Sequence, residues 1–447
     1  MNTTVKRLSV VLIALTLVAA ACGGRDDDSS SSDNGGSDSG GESASGAFIN
    51  PDQDCTDYKG TQGITGDTIK VGTIRPASGP YAIYDQVTAG LDAYFKSVNT
   101  AGGVKAGDGK TYKIELVKGD DGYDPARTPA VAKQLVEQDQ VFALVGNIGT
   151  EPSLAIRDYM NDNCVPNVSL GTGSPLWGDA NAYPWYISAL PSYALEAKVW
   201  VDYIEKTNPD AKIAILYQSD DFGESYQKAI TKAIEGTDIT MVAEQSFNPL
   251  GGTTTEAAVT QLSQSGADVF IVGIGGTPCP NTLKFMPESW KPMTFISITC
   301  AGKTALSLAG GKDQGVYAAQ TTYDPSDPAD QSNPKVVEFV QQASAAGLDQ
   351  NQIQGGISSA GWGFGANFAT ALGQTETVDR AGLMNALFSL DVPAFGLLRD
   401  DVTIKTDGAE DPWGIESLRV VQREGQGWVE KEKMVDYNGQ SNSFKGE

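Results

Sequence analysis

Residues 69–74 read IKVGTI, residues 78–81 read SGPY, and an amphipathic stretch follows from Asp85 to Thr100. A short β-branched run, a turn containing glycine and proline, and a longer amphipathic stretch together form the pattern of a βα unit. Because this alternation continues along the chain, the sequence predicts mainly parallel sheets flanked by helices. The fold class indicated is α/β.

The units fall into two similar series, each long enough to form one lobe. The first series continues with strands predicted at 113–118, 142–145 and 165–169 and with helices near 125–138 and 150–161. The second series alternates strands at 213–217, 241–247 and 269–272 with helices at 194–206, 223–234 and 255–265. A closed second lobe has no place for the later elements, which are predicted at 316–321, 334–346, 359–373 and 380–387. We therefore expect two discontinuous lobes with a cleft between them, because ligands of such sheets bind at the carboxyl ends of the strands.

Composition excludes several classes of function. The 447 residues include 32 Lys and Arg against 56 Asp and Glu, and the resulting net charge of −24 repels nucleic-acid phosphates. We therefore expect no nucleic-acid partner. The chain contains no histidine, which rules out a Ser-His or Cys-His nucleophile, a histidine general base and a histidine-ligated zinc.

An export signal is predicted at the N-terminus. Lys6 and Arg7 precede the apolar run 8–21, which is short for a bilayer span but suits the core of a signal peptide. We expect residues 1–21 to be removed. Residues 18–23 read VAAACG and resemble the lipobox of bacterial lipoproteins, which implies lipidation of Cys22. A cleaved signal without a lipid is the alternative.

The next segment is predicted to be a disordered linker. Residues 22–50 are rich in Ser, Gly and Asp and contain too few apolar side chains to offset the entropy of ordering. Such a linker keeps a folded body near the membrane surface. An acidic interaction tail is the alternative interpretation.

Four further cysteines indicate disulfides, because disulfides persist in exported proteins. Four cysteines permit three pairings, and the sequence leaves all three open. We favour Cys279 with Cys300, since each follows a predicted strand, and Cys55 with Cys164 is then the remaining pair. The wide cysteine spacings argue against zinc, and neither a metal nor a cofactor is expected.

Several segments, taken in order, resemble the type I periplasmic binding proteins, in particular the leucine/isoleucine/valine-binding branch that serves ABC importers. The resemblance covers about residues 64–425. Its segments are residues 69–80, GDDGYDP at 119–125, FALVG at 142–146, IAILYQSDDFG at 213–223, ADVFIV at 267–272, YDP at 323–325 and the helix over 361–372.

The resemblance implies two lobes joined by three crossovers near Pro191, Ala319 and Gly396. The first lobe is expected to comprise residues 66–190 and 320–395, and the second residues 191–319 and 396–435. It also implies a monomeric, extracytoplasmic protein that captures a small solute by lobe closure and delivers it to a transmembrane permease without chemistry. Two alternatives are an anchored ligand sensor and an enzyme acting on amides or esters, the latter disfavoured without histidine.

The resemblance also implies where the first lobe holds a ligand carboxylate, namely with amides and hydroxyls of loops that follow its strands. A helix start at Thr150 would favour an anion, although Thr150 could simply cap its helix. Tyr84 would form an aromatic wall, with core packing as its alternative. The first-lobe residues expected to contact ligand are Ser78, Tyr84, Asn147, Thr150, Ser169, Gly171 and Thr172.

In the second half of the chain, Phe222, Thr299 and Trp362 are expected to contact ligand, with helix packing as the alternative for Trp362. Amino-acid binders of the family carry an acid where this chain has Thr299. An ammonium buried without a carboxylate loses several kcal/mol. The sequence therefore leaves two options: Asp121, Asp220 or Glu151 pairs with the ammonium, or the ligand is not a simple α-amino acid.

Overall fold

The computed structural model describes residues 48–249, 251 and 254–442. The predicted signal peptide, Cys22 and nearly all of the expected linker lie outside these residues. In the described part of the chain, every helix is too short or too polar to cross a membrane.

The first sheet is built from the N-terminal third of the described chain. Its strands are β1 (Ile64–Thr65), β2 (Thr68–Arg75), β3 (Val104–Lys105), β4 (Thr111–Asp120), β5 (Leu144–Val145), β6 (Asn167–Leu170) and β7 (Tyr186–Ser188). The accompanying helices are α1 (Pro51–Asp54), α2 (Asp85–Thr100), α3 (Thr128–Lys133), α4 (Thr150–Leu154) and α5 (Arg157–Asp162). A π-helical turn over Gln134–Gln138 extends α3, and 3₁₀ turns lie at Ala82–Tyr84 and Pro175–Gly178.

The second sheet follows in the chain with the same alternation. Its parallel strands are β8 (Lys212–Gln218), β9 (Thr240–Phe247), β10 (Val269–Gly273), β11 (Met293–Ile296) and β12 (Tyr317–Gln320). The helices are α6 (Tyr193–Thr207), α7 (Asp221–Ala233), α8 (Glu256–Leu262), α9 (Pro278–Phe285) and α10 (Lys303–Leu306), with 3₁₀ turns at Ile298–Cys300 and Ser307–Ala309.

The remaining elements complete both halves. Helices α11 (Pro334–Ala345), α12 (Gln350–Gln354), α13 (Ser358–Gln374) and α14 (Arg380–Leu387) and the short pair β13 (Asp391–Val392) and β14 (Ile404–Lys405) follow β12. Strands β15 (Ser417–Glu424) and β16 (Gly427–Asp436) then add an antiparallel hairpin to the second sheet beside β12. The α/β class predicted from the sequence is confirmed.

The two sheets share one strand order. The first runs β3-β4-β2-β5-β6-β7, and the second runs β16-β15-β12-β11-β10-β8-β9. The parallel strands, numbered from 1 to 5 in chain order, are β2, β4, β5, β6 and β7 in the first sheet and β8 to β12 in the second. Both sheets then have the spatial order 2-1-3-4-5. Strand 2 lies on one side of strand 1 and strand 3 on the other, so the order reverses between strands 1 and 3. Ligands of doubly wound sheets bind at this reversal, outside the carboxyl ends of the strands.

Burial explains why the parallel strands read as continuous apolar runs. All five residues of β10 are buried, and Val269 and Ile271 belong to the core on one face while Phe270 and Val272 belong to the core on the other. A strand covered by helices on both faces has no solvent side, so its apolar residues do not alternate with polar ones.

The apolar cores define where one lobe ends and the other begins. Leu398, Val402, Ile404 and Ile415 pack in the core of the first sheet, although the sequence assigned residues after 395 to the second lobe. Strand β15, which begins at Ser417, belongs to the second sheet. We therefore propose a first lobe of residues 48–190 and 321–416 and a second lobe of residues 191–320 and 417–442.

The expected linker also ends earlier than residue 50. Ile49 is buried, its N–H donates to Asn385 Oδ1 at 2.7 Å, and Asn385 Nδ2 donates to the Ile49 carbonyl at 3.1 Å. Ile49 contributes apolar surface to the first-lobe core, so the free energy of its burial offsets the conformational entropy lost when this residue is ordered.

Two disulfides connect the pairs that the sequence favoured. Cys55 is bonded to Cys164 and Cys279 to Cys300. The first bond joins the segment before β1 to the end of α5. The second joins the start of α9 to the turn that follows β11, and both of these segments belong to the second lobe.

The longer loop should make the Cys55–Cys164 bond the more stabilising of the two. The Cys55–Cys164 bond closes a loop of 109 residues, and the Cys279–Cys300 bond closes a loop of 21 residues. The loss of chain entropy in the unfolded state predicts a stabilisation of about 4–5 kcal/mol for the first bond and about 3 kcal/mol for the second. We expect Cys55→Ser/Cys164→Ser to lower the free energy of unfolding in urea by more than Cys279→Ser/Cys300→Ser does. An equal loss of unfolding free energy in the two double variants, or a larger loss for Cys279→Ser/Cys300→Ser, would contradict the prediction.

Candidate functional site

A cleft lies between the lobes at the reversal points of both sheets. The loops after β2 and β5 of the first lobe face the loops after β8 and β10 of the second. The cleft encloses a cavity of about 180 Å³. This volume suits a small-molecule solute and excludes a polymer.

Hydrogen bonds between the lobes close the rim of this cleft. The Tyr81 hydroxyl donates to Gln218 Oε1 at 2.6 Å, and the Gly276 N–H donates to the Tyr84 hydroxyl oxygen at 2.7 Å. The Asp221 N–H donates to a carboxylate oxygen of Glu151 at 2.8 Å. Each bond joins a first-lobe residue to a second-lobe residue, so the structure represents the closed arrangement of the two lobes.

The structure brings half of the expected contact residues to the cavity. Tyr84, Thr150 and Gly171 line it from the first lobe, and Phe222 and Thr299 line it from the second. The Thr150 and Thr172 hydroxyl oxygens lie 2.6 Å apart, so Thr172 positions Thr150 from behind the wall. The structure therefore gives Thr172 a supporting place and leaves it outside the lining.

Three other expected residues lie outside the lining, and two of them, Asn147 and Ser169, serve the fold. Asn147 is buried and accepts from the Ile74 N–H at 2.7 Å through its side-chain oxygen, which ties β5 to β2. Ser169, also buried, accepts from Asn367 Nδ2 at 3.0 Å and ties β6 to α13. Ser78 is exposed outside the cavity.

Trp362 is placed in a core between helices. It packs edge-to-face on Tyr94, with ring centroids 5.1 Å apart, and on Phe339 at 5.3 Å. Its side chain belongs to the apolar cluster formed by α2, α11 and α13, away from the cavity lining. Trp362 therefore packs helices, which was the alternative to a role in ligand stacking.

The most informative residue that sequence reasoning missed is Tyr123, in the loop after β4. It lines the cavity, is 6% exposed and stacks on Tyr81 with ring centroids 4.0 Å apart. Tyr193, at the start of α6, also lines the cavity and packs on Phe222. The GDDGYDP motif contained Tyr123, but only the fold shows that this loop turns toward the cleft.

The close approach of Tyr123 requires glycine at position 149. Gly149 has φ of +102°, and a Cβ at this position would lie 2.4 Å from Cε2 and 2.8 Å from Cζ of the Tyr123 ring. The ring carbon that carries the hydroxyl therefore lies against the backbone immediately before Thr150. Two hydroxyl side chains thus converge on one end of the cavity.

The cavity lining carries no charged side chain among the residues that the structure describes. The three acids considered for an ammonium partner all lie outside the lining. Asp121 is buried and accepts from the Tyr123 N–H and the Thr128 hydroxyl, and Asp220 accepts from the Gly223 N–H at the start of α7. Glu151 forms the interlobe contact with Asp221 described above.

A fourth acid, Glu196, lies behind the second-lobe wall. It is fully buried and accepts from the Tyr226 hydroxyl at 2.7 Å and from the Ile298 N–H at 2.8 Å. Burial raises the pKa of Glu196 to about 8. The hydrogen-bond chain extends from the Tyr226 hydroxyl to the Ser297 hydroxyl, 2.7 Å away, and from there to the Thr299 hydroxyl, 2.9 Å further. Glu196 therefore supports the cavity wall without facing a ligand.

The described cavity is lined by uncharged residues. Hydroxyls and backbone groups supply the polarity of the cavity, and the described residues contain no group of three His, Cys, Asp or Glu side chains arranged for a metal ion. Together, the paired α/β lobes, the interlobe hydrogen bonds and the enclosed cavity define a two-lobed binding protein.

The chain belongs to the periplasmic binding protein family, whose model matches residues 68–425. It is 30% identical over 207 residues to a Leu/Ile/Val-binding protein homolog 3 of Brucella melitensis, across 46% of this chain and 54% of that protein. The chain spans about half the length of the curated relatives that it matches first.

Solved structures confirm the fold. A branched-chain amino acid ABC transporter protein from Thermus thermophilus with bound valine gives a TM-score of 0.73 at 17% identity, covering 83% of this chain and 97% of that one. A solute-binding protein of an ABC transporter from R. palustris, in complex with 4-hydroxybenzoate, gives a TM-score of 0.69 at 18% identity. The match covers 85% of this chain and 100% of that one. The type I periplasmic binding fold inferred from the sequence is therefore confirmed.

Closure of the lobes should depend on pH through Glu151. Burial, together with the neighbouring Asp221 and Asp220, raises the pKa of Glu151 to about 7 in this closed arrangement. In an open form the side chain is in water and its pKa returns to the ordinary range of about 4.3. Closure therefore takes up a proton, and it is favoured as the pH falls from above 7 toward 5 and disfavoured as the pH rises.

We expect Glu151→Gln to remove most of this dependence and to favour closure at pH 8. Burial also raises the pKa of Asp220, which leaves a residual dependence. The radius of gyration from small-angle X-ray scattering between pH 5 and 8 measures closure. Glu137→Gln on the outer surface is the matched control, and identical profiles for wild type and Glu151→Gln would refute the assignment.

Proposed function

We propose that this protein is an extracytoplasmic solute-binding lipoprotein that captures a small solute by lobe closure and delivers it to the permease of an ABC importer. The observation that carries the proposal is the cavity enclosed at the strand ends of two matching lobes, with hydrogen bonds across its rim. Two rigid halves that meet in this way bury most of a small ligand, and each half presents its own contacts.

Ligand capture in this proposal is a population shift. The ligand first contacts the first lobe, and contacts from the second lobe are added only on closure. The ligand shifts the equilibrium toward the closed form only through this difference in affinity. The closed form presents one continuous outer surface to a permease, which is how binding is reported to a membrane partner.

Five lining residues are proposed to contact the solute. Thr150 and Gly171 supply polar groups at one end, Tyr84 and Phe222 form aromatic walls, and Thr299 supplies a hydroxyl from the second lobe. The solute is proposed to carry a carboxylate or an amide, since hydroxyls and backbone groups recognise both. The relatives' names support such solutes: one is a Leu/Ile/Val-binding protein homolog, and one structure contains 4-hydroxybenzoate.

Membrane anchoring through Cys22 is part of the proposal, because residues 18–23 resemble a lipobox and a polar segment separates Cys22 from residue 48, where the described chain begins. A single acyl chain gives reversible membrane binding, whereas two chains give stable anchoring. We expect radiolabelled palmitate to be incorporated into the wild-type protein in a bacterial host and not into Cys22→Ser. Label retained by Cys22→Ser would contradict lipidation at this position.

A thermal-shift screen of small carboxylates, amides and amino acids tests solute capture. A ligand present at 100 times its dissociation constant adds about 2.7 kcal/mol to the stability of the folded protein. The proposal expects at least one hit that also reduces the radius of gyration. A screen without any stabilising compound, or a hit that leaves the lobes unchanged, would contradict capture by closure.

For any carboxylate hit, Thr150→Val should weaken binding about tenfold, because one hydrogen bond to a charged group is lost while the side chain keeps its shape. Thr260→Val is the matched control, since its hydroxyl is exposed on α8 and bonds only to the Glu256 carbonyl. Calorimetric affinities measure both variants. Equal affinities for wild type and Thr150→Val would remove Thr150 from the site.

A further inference from the structure

The chemistry of the cavity wall restricts the solute more than the fold does. The Tyr123 ring lies against Gly149, next to Thr150, and most of the other lining residues are apolar or glycine, although Thr299, Thr321, Thr322 and Ser359 add further hydroxyls. The apolar lining residues include Ile357, Phe364, Phe395, Leu397, Leu398 and Ile415. A solute that fills this cavity therefore has one polar end and an apolar body.

The wall offers no counter-charge for a cation. No described lining residue is acidic, and the nearby acids Asp121, Asp220 and Glu151 are engaged in turns, a helix start and the lobe contact. Glu196 lies behind the wall with both carboxyl oxygens hydrogen-bonded. An ammonium group inside the closed cavity would lose its water and gain no carboxylate, which costs several kcal/mol.

The polar end has a donor without a partner. Tyr123 is 6% exposed, and its hydroxyl forms no hydrogen bond with any described residue. Burial raises the pKa of Tyr123, so the phenol stays neutral and remains a donor. The Tyr123 hydroxyl on the cavity lining is therefore available to donate to a ligand oxygen.

We propose that the cleft selects carboxylic acids with an apolar body and no amino group, and that it discriminates against α-amino acids with the same carbon skeleton. This inference rests on the proposed function, since it names the solute class of the same cavity. The hydroxyls of Tyr123 and Thr150 hold the carboxylate, and the aromatic and aliphatic walls surround the body. Thr299, an uncharged lining residue of the second lobe, is then the specificity determinant.

Matched pairs of acids test the proposal by calorimetry on the full chain. The pairs are 4-methylpentanoate with leucine, 3-methylbutanoate with valine, and 3-phenylpropionate with phenylalanine. In each pair only the amino group differs. We expect at least one deaminated acid to bind, and its amino acid to bind at least about 100-fold more weakly, as an unpaired buried charge requires.

Two substitutions test the assigned roles. Thr299→Asp places a carboxylate on the cavity wall and should shift the preference toward the amino acid of the same pair by at least about tenfold. Thr231→Asp, on the exposed face of α7, is the matched control and should leave the preference unchanged. Tyr123→Phe should weaken binding of the deaminated acid about tenfold, while Tyr112→Phe, whose hydroxyl bonds to Asp108 away from the cavity, should not.

The outcomes separate this inference from the proposed function. An amino acid that binds as tightly as its deaminated partner, with lobe closure, would overturn the solute class and leave solute capture standing. Binding of the acids without closure would overturn both. No binding by any member of the panel would overturn the solute class alone, since the thermal-shift screen tests capture of other solutes. A deaminated acid that binds and closes the lobes, with its amino acid rejected, supports both.

Discussion

The carboxyl ends of parallel strands in two sheets face each other across one cleft, and the rest of the structure depends on that arrangement. Both sheets reverse their strand order at the same point, so the loops after β2, β5, β8 and β10 converge. The hydrogen bonds of Tyr81 and Tyr84 to the second lobe then join loops that belong to different sheets. Because neither lobe encloses the cavity alone, a bound solute and the closed arrangement stabilise each other.

Charge is distributed unevenly around this cleft. The chain carries a net charge of −24, yet the described cavity lining carries none. The acids closest to it are kept at the rim or behind the wall, where Glu151 bonds across the lobes and Glu196 supports Thr299 through Tyr226 and Ser297. We therefore propose that solute selection and lobe closure depend on different residues: the uncharged wall selects the solute, and the acidic rim controls closure.

Local patterns in the sequence predicted the elements closely. The helix expected over 85–100 is α2, and that expected over 380–387 is α14. The return of the chain to the first lobe was also predicted, but its end was placed at Gly396, although residues up to Ile415 pack in the first-lobe core. The short strands and turns of 391–415 carry little periodicity, so only their packing shows to which lobe they belong.

Periodicity, composition and motif order determined by themselves that the chain forms two α/β lobes without histidine chemistry, because these signals can be read along the chain without knowing which side chains meet in space. Only the tertiary structure decided which side chains meet at the cavity. Ser169 and Trp362 occupy positions that fit a ligand site in sequence but face the interior, whereas Tyr123 comes from a loop with no signal for its direction. A cleft combines residues that are distant in sequence, and their orientation depends on how two separate cores pack and close.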